Sequence, residues 1–524
     1  MTKRNSLKWK LNSDLLSGFM VFLIALPLSL GIAKASGFNP AMGVLSAIIG
    51  GLFTTIFNVS PLTIKGPAAG LITISSAALI EFSSIAGESE AFKIVGTLIV
   101  IMAVMQIILG FLKLGVLSDF FPHSAVHGML AAIGIIIIAK QIPVLLGDDP
   151  RIYKNETAIE LIFNLPKLFV NAHMHIATVG FLALIILFAL PKIKKGFIKK
   201  IPAPLFVLLI CIPMSIYWSF KNSEGIYSLV QIGDFWNSIQ LNFNLDYILT
   251  FVFWKYVIMF LFVCTIESLL TVKAIDNLSN KSKSNYNGEL IGQGAGNIIS
   301  GILGGLPMIS EVVRSTSNVN FGAKSKFSNF FHGLFLLISM LLFIPVIELI
   351  PNAALAALLI YAGFRLAAPK EFIHMYKIGK EQLIIFLVTI LVTLLEDLLI
   401  GILAGILVKI IFHLINGATI KSLFKTNYEI NIIDENETKI TILEVAVFSN
   451  ILFYKKLLSS IDSPKICIDF KKTKLIDHSF LSFITYLKNE YLQKGVQVKI
   501  TGIDFHKSFS KHPLATRVLK KKSF

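Results

Sequence analysis

Long apolar runs recur along the chain from about residue 15 to residue 414, and short polar or charged stretches separate them. A helix needs about 20 apolar residues to cross the hydrocarbon core of a bilayer. The pattern therefore predicts an α-helical polytopic membrane protein with about fourteen spans. The predicted spans are 15–34, 40–58, 69–82, 93–113, 121–142, 175–191, 203–218, 250–272, 288–304, 311–320, 328–348, 353–366, 382–396 and 398–415.

The pattern changes after Asn427, where polar and apolar positions begin to alternate over short stretches. Such alternation is typical of half-buried strands, and one later stretch has the spacing of an amphipathic helix. The predicted strands are Thr438–Val445, Lys465–Phe470 and Val496–Thr501, and the predicted helix is Ser479–Leu492. We interpret residues 1–427 as a transmembrane domain and residues 428–524 as a small cytoplasmic α/β domain.

Composition agrees with a membrane protein and argues against a soluble enzyme. Hydrophobic residues make up 55% of the chain and charged residues only 15%, whereas a soluble domain carries roughly 25% charged residues. The three cysteines, Cys211, Cys264 and Cys467, form neither a disulfide framework nor a metal-ligand spacing. No catalytic constellation is found, so we predict neither an enzyme nor a bound cofactor.

The net charge of +17 is interpreted as membrane topology and not as nucleic-acid binding, because cytoplasmic loops collect Lys and Arg. Loops after the sixth, eighth, tenth and twelfth spans are basic, those after the second and fourth are weakly basic, and those after the third and fifth are acidic. The basic residues after the sixth and eighth spans are Lys192, Lys194, Lys195, Lys199, Lys200, Lys273, Lys281 and Lys283, and the acidic residues after the third and fifth are Glu81, Glu88, Glu90, Asp148 and Asp149. We predict a bacterial inner-membrane protein with both termini in the cytoplasm.

The third and tenth spans are short, and Gly/Pro-rich segments precede them. The first follows Gly66-Pro67-Ala68-Ala69-Gly70 and the second follows Gly304-Gly305-Leu306-Pro307. Broken short helices at matching places in two halves indicate an inverted-repeat transporter with its site at the midplane of the membrane. The alternative is two ordinary proline kinks in long helices.

The predicted substrate site lies between these two short helices. A helix N-terminus has unpaired N–H groups and partial positive charge, so two that face each other would bind an anion. Ala68, Ala69 and Gly70 open the first helix, and Ser310 and Glu311 open the second. The alternative is that these small residues only allow helices to pack closely.

Two charged residues inside predicted spans are candidates for substrate and ion binding. Arg314 lies one turn into the tenth span, and Glu267 lies in the eighth span with Thr271 four residues later. An intramembrane charge costs at least about 2.5 kcal/mol, so each requires a partner. Arg314 would meet the anion, Glu311 or Glu267, and the pair Glu267 and Thr271 would hold a sodium ion or a proton. A purely structural ion pair is the alternative.

The sequence resembles the sulfate permease (SulP) family of anion transporters over nearly its whole length. The resembling stretches are Asp14–Gly18, Ala25–Ser29, Gly66–Gly70, Ile266–Leu270 and Asn285–Ser317. The resemblance implies fourteen spans in two inverted seven-span repeats, a core and a gate domain, an elevator-like movement and a homodimer. It also implies sodium binding at Glu267 and Thr271, although related bicarbonate transporters carry Asp at the first position.

The tail resembles the STAS domain that ends such transporters. Some STAS domains carry a phosphorylated Ser between an Asp and a Gly, and the matching stretch here is Asp477-His478-Ser479-Phe480. The Gly is absent, which does not favour regulation at Ser479. The segment Met308–Glu311 resembles a subgroup often found near carbonic anhydrases, which favours bicarbonate over sulfate and makes a carbonic anhydrase a candidate cytoplasmic partner of the tail.

The function predicted from these features is secondary transport of a small inorganic oxyanion, bicarbonate or sulfate, coupled to sodium or protons. One alternative is a nucleobase permease, which shares the paired short helices. The other is a membrane scaffold or sensor that acts through its C-terminal domain.

Overall fold

The computed structural model describes residues 3–57, 59–117, 121–148, 150–153, 156–193, 201–222, 228–279, 284–434, 436–493 and 495–520. The α-helices are α1 Lys3–Ala35, α2 Pro40–Leu52, α3 Ile72–Ala86, α4 Glu88–Phe111, α5 His123–Leu146, α6 Ala158–Phe163, α7 Leu165–Val170, α8 Met174–Ala189, α9 Ala203–Tyr217, α10 Phe251–Ser279, α11 Tyr286–Ile302, α12 Val312–Asn320, α13 Phe327–Leu342, α14 Ile344–Ile347, α15 Asn352–Leu366, α16 Pro369–Ile378, α17 Lys380–Leu395, α18 Leu398–Ile415, α19 Ile420–Phe424, α20 Ile451–Ser459 and α21 His478–Gln493. The strands are β1 Lys65–Pro67, β2 Met308–Ser310, β3 Tyr428–Asp434, β4 Glu437–Ile442, β5 Val445–Ala446, β6 Lys465–Asp469, β7 Leu475–Ile476, β8 Gln497–Thr501, β9 His506–Ser508 and β10 Arg517–Leu519.

The chain divides into two compact units. The first comprises Met1–Gly115 and Ile133–Leu366, and the second comprises Val116–Ala132 and Ala367–Phe524. The predicted domain boundary at residue 427 stays a prediction, and β3 begins at Tyr428, the first residue after it.

Eight helical segments among the described residues are long and apolar enough to cross a membrane, and three further apolar helices are shorter. The protein is therefore a multi-pass membrane protein. A helix lies at the position of every span that the apolar pattern predicts.

The helix boundaries differ from the predicted spans in two ways. The run 328–348 is not one helix, because α13 ends at Leu342 and α14 begins at Ile344 with Pro345 in its first turn. Proline has no N–H to continue the ladder of the preceding helix. The connecting helices α6, α7 and α16 were not predicted, since they are too short to appear as membrane spans.

Part of the predicted charge pattern lies outside the described residues. These positions are Lys194, Lys195, Lys199, Lys200, Lys281, Lys283 and Asp149. The orientation of the chain in the membrane stays a prediction.

Small residues allow helices of the first unit to approach closely. A Cβ on Gly51 of α2 would lie 2.5 Å from the Cα of Gly333 on α13, and a Cβ on Gly43 would lie 2.1 Å from the Ser29 carbonyl oxygen of α1. Such contacts replace the hydrophobic driving force that is missing between helices in lipid. They hold α2 against its neighbours, and every residue of α2 from Pro40 to Gly51 is buried.

The second unit contains two four-stranded sheets, ordered β3-β4-β6-β8 and β5-β7-β10-β9. β3 pairs antiparallel with β4, whereas β4, β6 and β8 run parallel. The predicted strands correspond to β4 with β5, to β6 and to β8, and the predicted helix corresponds to α21. The other strands and α20 were not predicted. Their apolar positions become recognisable as a core only when the sheets form.

Asp477 is a buried carboxylate between α18 and the C-terminal sheets of this unit. Its Oδ2 lies 3.1 Å from Lys409 Nζ and 3.4 Å from His413 Nε2. Its two oxygens also accept the backbone N–H groups of Phe480 and Phe448. Burial opposes ionisation of Asp477, but the Lys409 ammonium and the hydrogen bonds from His413 and the Phe480 N–H outweigh it and hold the pKa of its carboxyl well below the usual range.

Ser479, the residue aligned with a STAS phosphorylation site, belongs to the same cluster. Its side chain is 1% exposed, and its Oγ accepts a hydrogen bond of 2.9 Å from Lys409 Nζ. A kinase needs an accessible hydroxyl, so this geometry argues against modification of the folded domain. The cluster instead ties the start of α21 to α18.

We predict that removing one charge of this cluster destabilises the protein more than removing two. Asp477→Asn keeps an acceptor for the backbone groups but leaves the Lys409 ammonium without its counter-charge, which costs about 3–5 kcal/mol at a buried ion pair. Lys409→Met combined with Asp477→Asn removes both charges and should recover part of this loss. Thermal unfolding of the detergent-solubilised protein measures Asp477→Asn, Lys409→Met and the double variant.

The exposed pair Lys472 and Glu429, 3.1 Å apart with side chains 58% and 46% exposed, provides the control. Glu429→Gln is expected to change stability by less than about 1 kcal/mol. Strictly additive effects of Lys409→Met and Asp477→Asn would show that the two groups do not act as a pair.

Candidate functional site

Two short strands cross in the interior of the first unit. β1 pairs antiparallel with β2, with Lys65 opposite Ser310, Gly66 opposite Ile309 and Pro67 opposite Met308. All six residues are buried. Because the strands are antiparallel, the segments that follow them leave from opposite ends of the ladder. The ladder is only about 7 Å long, so the two helices that follow begin close to each other.

The first of these helices begins where the sequence predicts. Ala68 has extended backbone angles, Ala69–Leu71 form a single 3₁₀ turn, and α3 continues from Ile72. Within the described residues the backbone N–H groups of Ala69 and Gly70 have no hydrogen-bond acceptor. These are the orphan donors expected at a helix start.

The second helix begins one residue later than predicted. Glu311 is the N-cap of α12, and its carboxylate accepts the backbone N–H of Arg314 at 2.7 Å. The N–H groups of Val312 and Val313 have no acceptor among the described residues. Glu311 thus caps its own helix and leaves the first two donors open.

Ser310 does not contribute the free backbone donor that the sequence suggests. Its N–H donates to Ser268 Oγ at 3.2 Å, and its Oγ donates to the Glu289 carboxylate. Ser310 is the last residue of β2, so the strand pairing directs these groups away from the helix start. In this structure the free donors of the second helix are Val312 and Val313.

A buried ion pair that the sequence reasoning missed supports the crossing strands. Lys65 Nζ lies 3.3 Å from Glu289 Oε1, and both side chains are fully buried. Glu289, in the first turn of α11, also accepts the Ser60 N–H at 2.8 Å. An intramembrane charge is expensive and requires a partner, so a Lys beside the Gly/Pro segment and a Glu in an apolar span were the available signals.

Arg314 is fully buried beside the crossing. Its Nη2 donates to the Pro67 carbonyl oxygen at 3.2 Å, while Nε and Nη1 have no hydrogen-bond partner. Among the described residues Arg314 forms no ion pair with Glu311 or Glu267, two of the predicted partners. A Cβ on Gly66 would lie 2.3 Å from Nη1, so only glycine allows the guanidinium to lie against β1.

Glu267 on α10 lies against the start of the first helix. A Cβ on Gly70 would be 2.4 Å from Glu267 Oε1, and the buried Oε2 has no hydrogen-bond partner. Thr271 is buried one turn further along α10. The carboxylates of Glu267 and Glu311 are close enough to repel each other. A cation or a proton between them would relieve this repulsion.

The structure brings the predicted site residues together around one crossing. α10 contacts the first segment through Glu267 at Gly70 and the second segment through Ser268 at Ser310. Four open backbone donors, one guanidinium and one unpaired carboxylate oxygen thus surround β1 and β2. Such a set can bind an oxyanion and, next to it, a cation or a proton.

A family model for the sulfate permease family matches residues 11–389 of the chain. A putative sulfate transporter of Bacillus subtilis, YvdB, is 26% identical over 386 residues, which cover 72% of this chain and 69% of that protein. The bicarbonate transporter BicA of Picosynechococcus is 26% identical over 67% of this chain and 61% of its own length.

Solved structures show the same helical membrane-transporter fold. The transmembrane domain of a cyanobacterial BicA gives a TM-score of 0.63 at 22% identity and covers 78% of this chain and 98% of that one. SLC26A9 gives a TM-score of 0.65 at 15% identity over 95% of this chain and 85% of that one. The likeness to SLC26A9 extends into the C-terminal strands and helices, which are consistent with the expected STAS-like domain. On the match of its residues 11–389, this chain belongs to the sulfate permease family.

Proposed function

We propose that this protein is a secondary active transporter of a small inorganic oxyanion, bicarbonate or sulfate, with sodium or protons as the coupling ion. The observation that carries the proposal is the group of unpaired donors at the crossing of β1 and β2. The named relatives are a putative sulfate transporter and a bicarbonate transporter, and membership of their family supports the same substrate class here.

The anion would bind between the starts of α3 and α12. The N–H groups of Ala69, Gly70, Val312 and Val313 are open in the described structure, and the unpaired Nε and Nη1 of Arg314 add positive charge. Charge-assisted hydrogen bonds to an oxyanion are stronger than neutral ones. Backbone donors at helix starts suit a compact tetrahedral or planar oxyanion, and they make no contact that would recognise a larger substituent on it.

Glu267 and Thr271 would form the coupling site. The unpaired Oε2 of Glu267 and its repulsion from Glu311 favour a cation or a proton at this point. Binding of the cation would remove the negative charge beside Gly70 and thereby favour the anion at the helix start. This mutual dependence is the physical basis of symport, since neither ion binds well alone.

Movement and assembly follow the family pattern in this proposal. The β1–α3 and β2–α12 segments would belong to the core of two inverted seven-span repeats, which carries the anion in an elevator-like step against a gate. We further propose a homodimer in a bacterial inner membrane with both termini in the cytoplasm. The STAS-like domain would bind a cytoplasmic partner, for which a carbonic anhydrase is the candidate if bicarbonate is carried.

Uptake into proteoliposomes of purified protein tests the function. Labelled bicarbonate and labelled sulfate are supplied with and without an inward sodium or proton gradient, and uracil serves as a competitor. Accumulation of one oxyanion that depends on a gradient is expected. Uptake blocked by uracil would instead indicate a nucleobase permease, and the absence of any flux would favour a scaffold or sensor.

We predict that Arg314→Gln weakens anion uptake about 10- to 100-fold, which corresponds to the loss of a hydrogen bond to a charged group. Arg314→Lys should retain part of the activity, because it keeps the charge but not the planar donors. The initial rate of uptake against anion concentration measures the effect. Arg365→Gln, at an exposed position on α15, is the control, and an equal loss there would contradict a specific role for Arg314.

We predict that Glu267→Gln separates transport from the gradient. The variant keeps the size of the side chain but loses the charge that would hold the coupling ion. Gradient-driven accumulation should disappear, whereas slow equilibration of the labelled anion remains. The exposed Glu396→Gln should keep full coupling. Unchanged accumulation by Glu267→Gln would remove this residue from the coupling site.

We predict that Gly70→Ala reduces uptake by about tenfold or more, since its methyl group would lie 2.4 Å from Glu267 Oε1 and the neighbour must shift. Combining Gly70→Ala with Glu267→Asp should restore part of the uptake, because the shorter side chain makes room. The matched control is Gly31→Ala on α1, where the nearest atom would be 3.5 Å away. Equal losses in both alanine variants would argue against a close contact at Gly70.

A further inference from the structure

A cavity lined by both polar and apolar residues lies along α3, beyond the helix start that forms the candidate site. Its volume is about 1160 Å³. Ser76, Leu79, Ile80 and Ser83 contribute from α3 at the spacing of one helix face. The α3 part of the lining starts at Ser76. A rise of about 1.5 Å per residue places Ser76 about 9 Å from Gly70 along the helix axis. Ala68, Ala69 and Gly70 are not part of this lining, so the cavity and the helix-end site are separate places along the same helix.

Three lysines and two glutamates are the charged residues of the lining: Lys34, Lys140, Lys221, Glu88 and Glu348. Both glutamates are poor counter-charges for the interior of the cavity. The Oε1 of Glu348 accepts the backbone N–H groups of Ile232 and Gly233, each at 3.0 Å. Glu88 is exposed in the first turn of α4, where a helix N-terminus stabilises a carboxylate.

Lys140 is the group in this cavity that lacks a protein partner. It lies on α5, it is half-buried, and its ammonium forms no hydrogen bond or ion pair with any described residue. The neighbouring lining residue Gln141 is 7% exposed and offers both a donor and an acceptor. An unpaired ammonium that lines a large cavity from inside a membrane span is costly unless water or an anion meets it.

Lys34 adds a second positive charge that the fold holds in place. Its Nζ donates to Asn352 Oδ1 at 2.6 Å. Asn352 is itself fixed, because its Nδ2 donates to the Leu229 carbonyl oxygen and its backbone N–H donates to that of Ser228. The bond to Asn352 orients Lys34 at the end of α1, where it lines the cavity.

We propose that Lys140 and Lys34 form an anion-capture site in this cavity, distinct from the helix-end site and filled by the same class of small inorganic oxyanion. The proposal rests on the proposed function. The two lysines attract the anion electrostatically, and α3, which contributes Ser76 and Ser83 to the lining, leads from the cavity towards Ala69 and Gly70. A site of this kind raises the local anion concentration and the rate of association, as charged clefts do in general.

Kinetics of uptake provide the first test. Lys140→Gln is expected to raise the apparent KM for the transported anion about three- to tenfold and to leave the maximum rate within about twofold. Lys140→Arg should behave like the wild type because it keeps the charge. Lys167→Gln removes the same charge from an exposed position on α7 outside the cavity, and it should change neither value. An unchanged KM in Lys140→Gln, or a loss of maximum rate alone, would overturn the proposal.

Chemical rescue shows whether the charge itself is needed. The native cysteines Cys211, Cys264 and Cys467 are buried, so Lys140→Cys introduces the reactive thiol. Attaching an ethylammonium group through a methanethiosulfonate reagent should restore the KM, and attaching an ethylsulfonate group should not. Restoration by both groups would mean that side-chain bulk, and not charge, matters at this position.

Reactivity of the same thiol tests the site without any transport. The measured quantity is the rate of modification by the anionic ethylsulfonate reagent divided by the rate of modification by the cationic trimethylammonium reagent. This ratio should be about threefold or more higher for Lys140→Cys than for Lys167→Cys. Added Lys34→Gln should lower the ratio, and sulfate or bicarbonate should slow the anionic reagent. Equal ratios at both positions would overturn the capture site even in a protein that transports well. A protein without flux but with this reactivity pattern would overturn the proposed function alone.

Discussion

The antiparallel crossing of β1 and β2 is the constraint on which the rest of the site depends. Non-helical backbone inside a membrane is tolerated only where protein or a polar cavity satisfies its N–H and C=O groups. Here the two strands pair with each other, with Lys65 opposite Ser310 and Pro67 opposite Met308. The N–H groups of Lys65, Met308 and Ser310 donate to the side chains of Asn329, Asn297 and Ser268.

This crossing places two helix starts together. Because α3 and α12 start only after the strands, their first N–H groups have no preceding turn to bond with. The crossing therefore creates the open donors of Ala69, Gly70, Val312 and Val313 and holds them close to one another. A single long kinked helix in either half would have no such exposed start.

The charges around the crossing divide into those that the fold satisfies and those that it leaves open. Lys65 and Glu289 neutralise each other at 3.3 Å and bind β1, β2 and α11 into one structure. Arg314 and Glu267 lie against Gly66 and Gly70, yet each keeps side-chain atoms without a partner. Buried charges without partners are costly, so this difference separates residues with a structural role from candidates for binding. The same contrast distinguishes Asp477, whose oxygens are fully used, from the unpaired Lys140.

The sequence by itself determined the class of the molecule and the place of its site. Apolar runs with few charges fix a polytopic helical protein, because lipid admits only segments that satisfy their own backbone. The Gly/Pro interruptions at Gly66–Gly70 and Gly304–Pro307 located the two short helices, since these residues disrupt helices wherever they occur. Glu267 and Arg314 stood out as charges within apolar spans, and the alternating pattern after residue 427 gave the main strands and the long helix of the C-terminal domain.

Only the tertiary structure decided which groups are free. The sequence predicts the Ser310 N–H as a free donor, but in the structure it donates to Ser268 Oγ. The Glu311 carboxylate accepts the Arg314 N–H and so caps its own helix. Lys65 and Glu289 are 224 positions apart in the chain, and Ser60 and Glu289 are 229 positions apart. No local sequence pattern reveals such partners. Ser479 is likewise a polar residue that the sequence alone would place at the surface. In the structure it is buried and its Oγ accepts a hydrogen bond from Lys409. Local sequence sets backbone preference and polarity, whereas hydrogen-bond pairing and burial depend on elements that meet only when the chain folds.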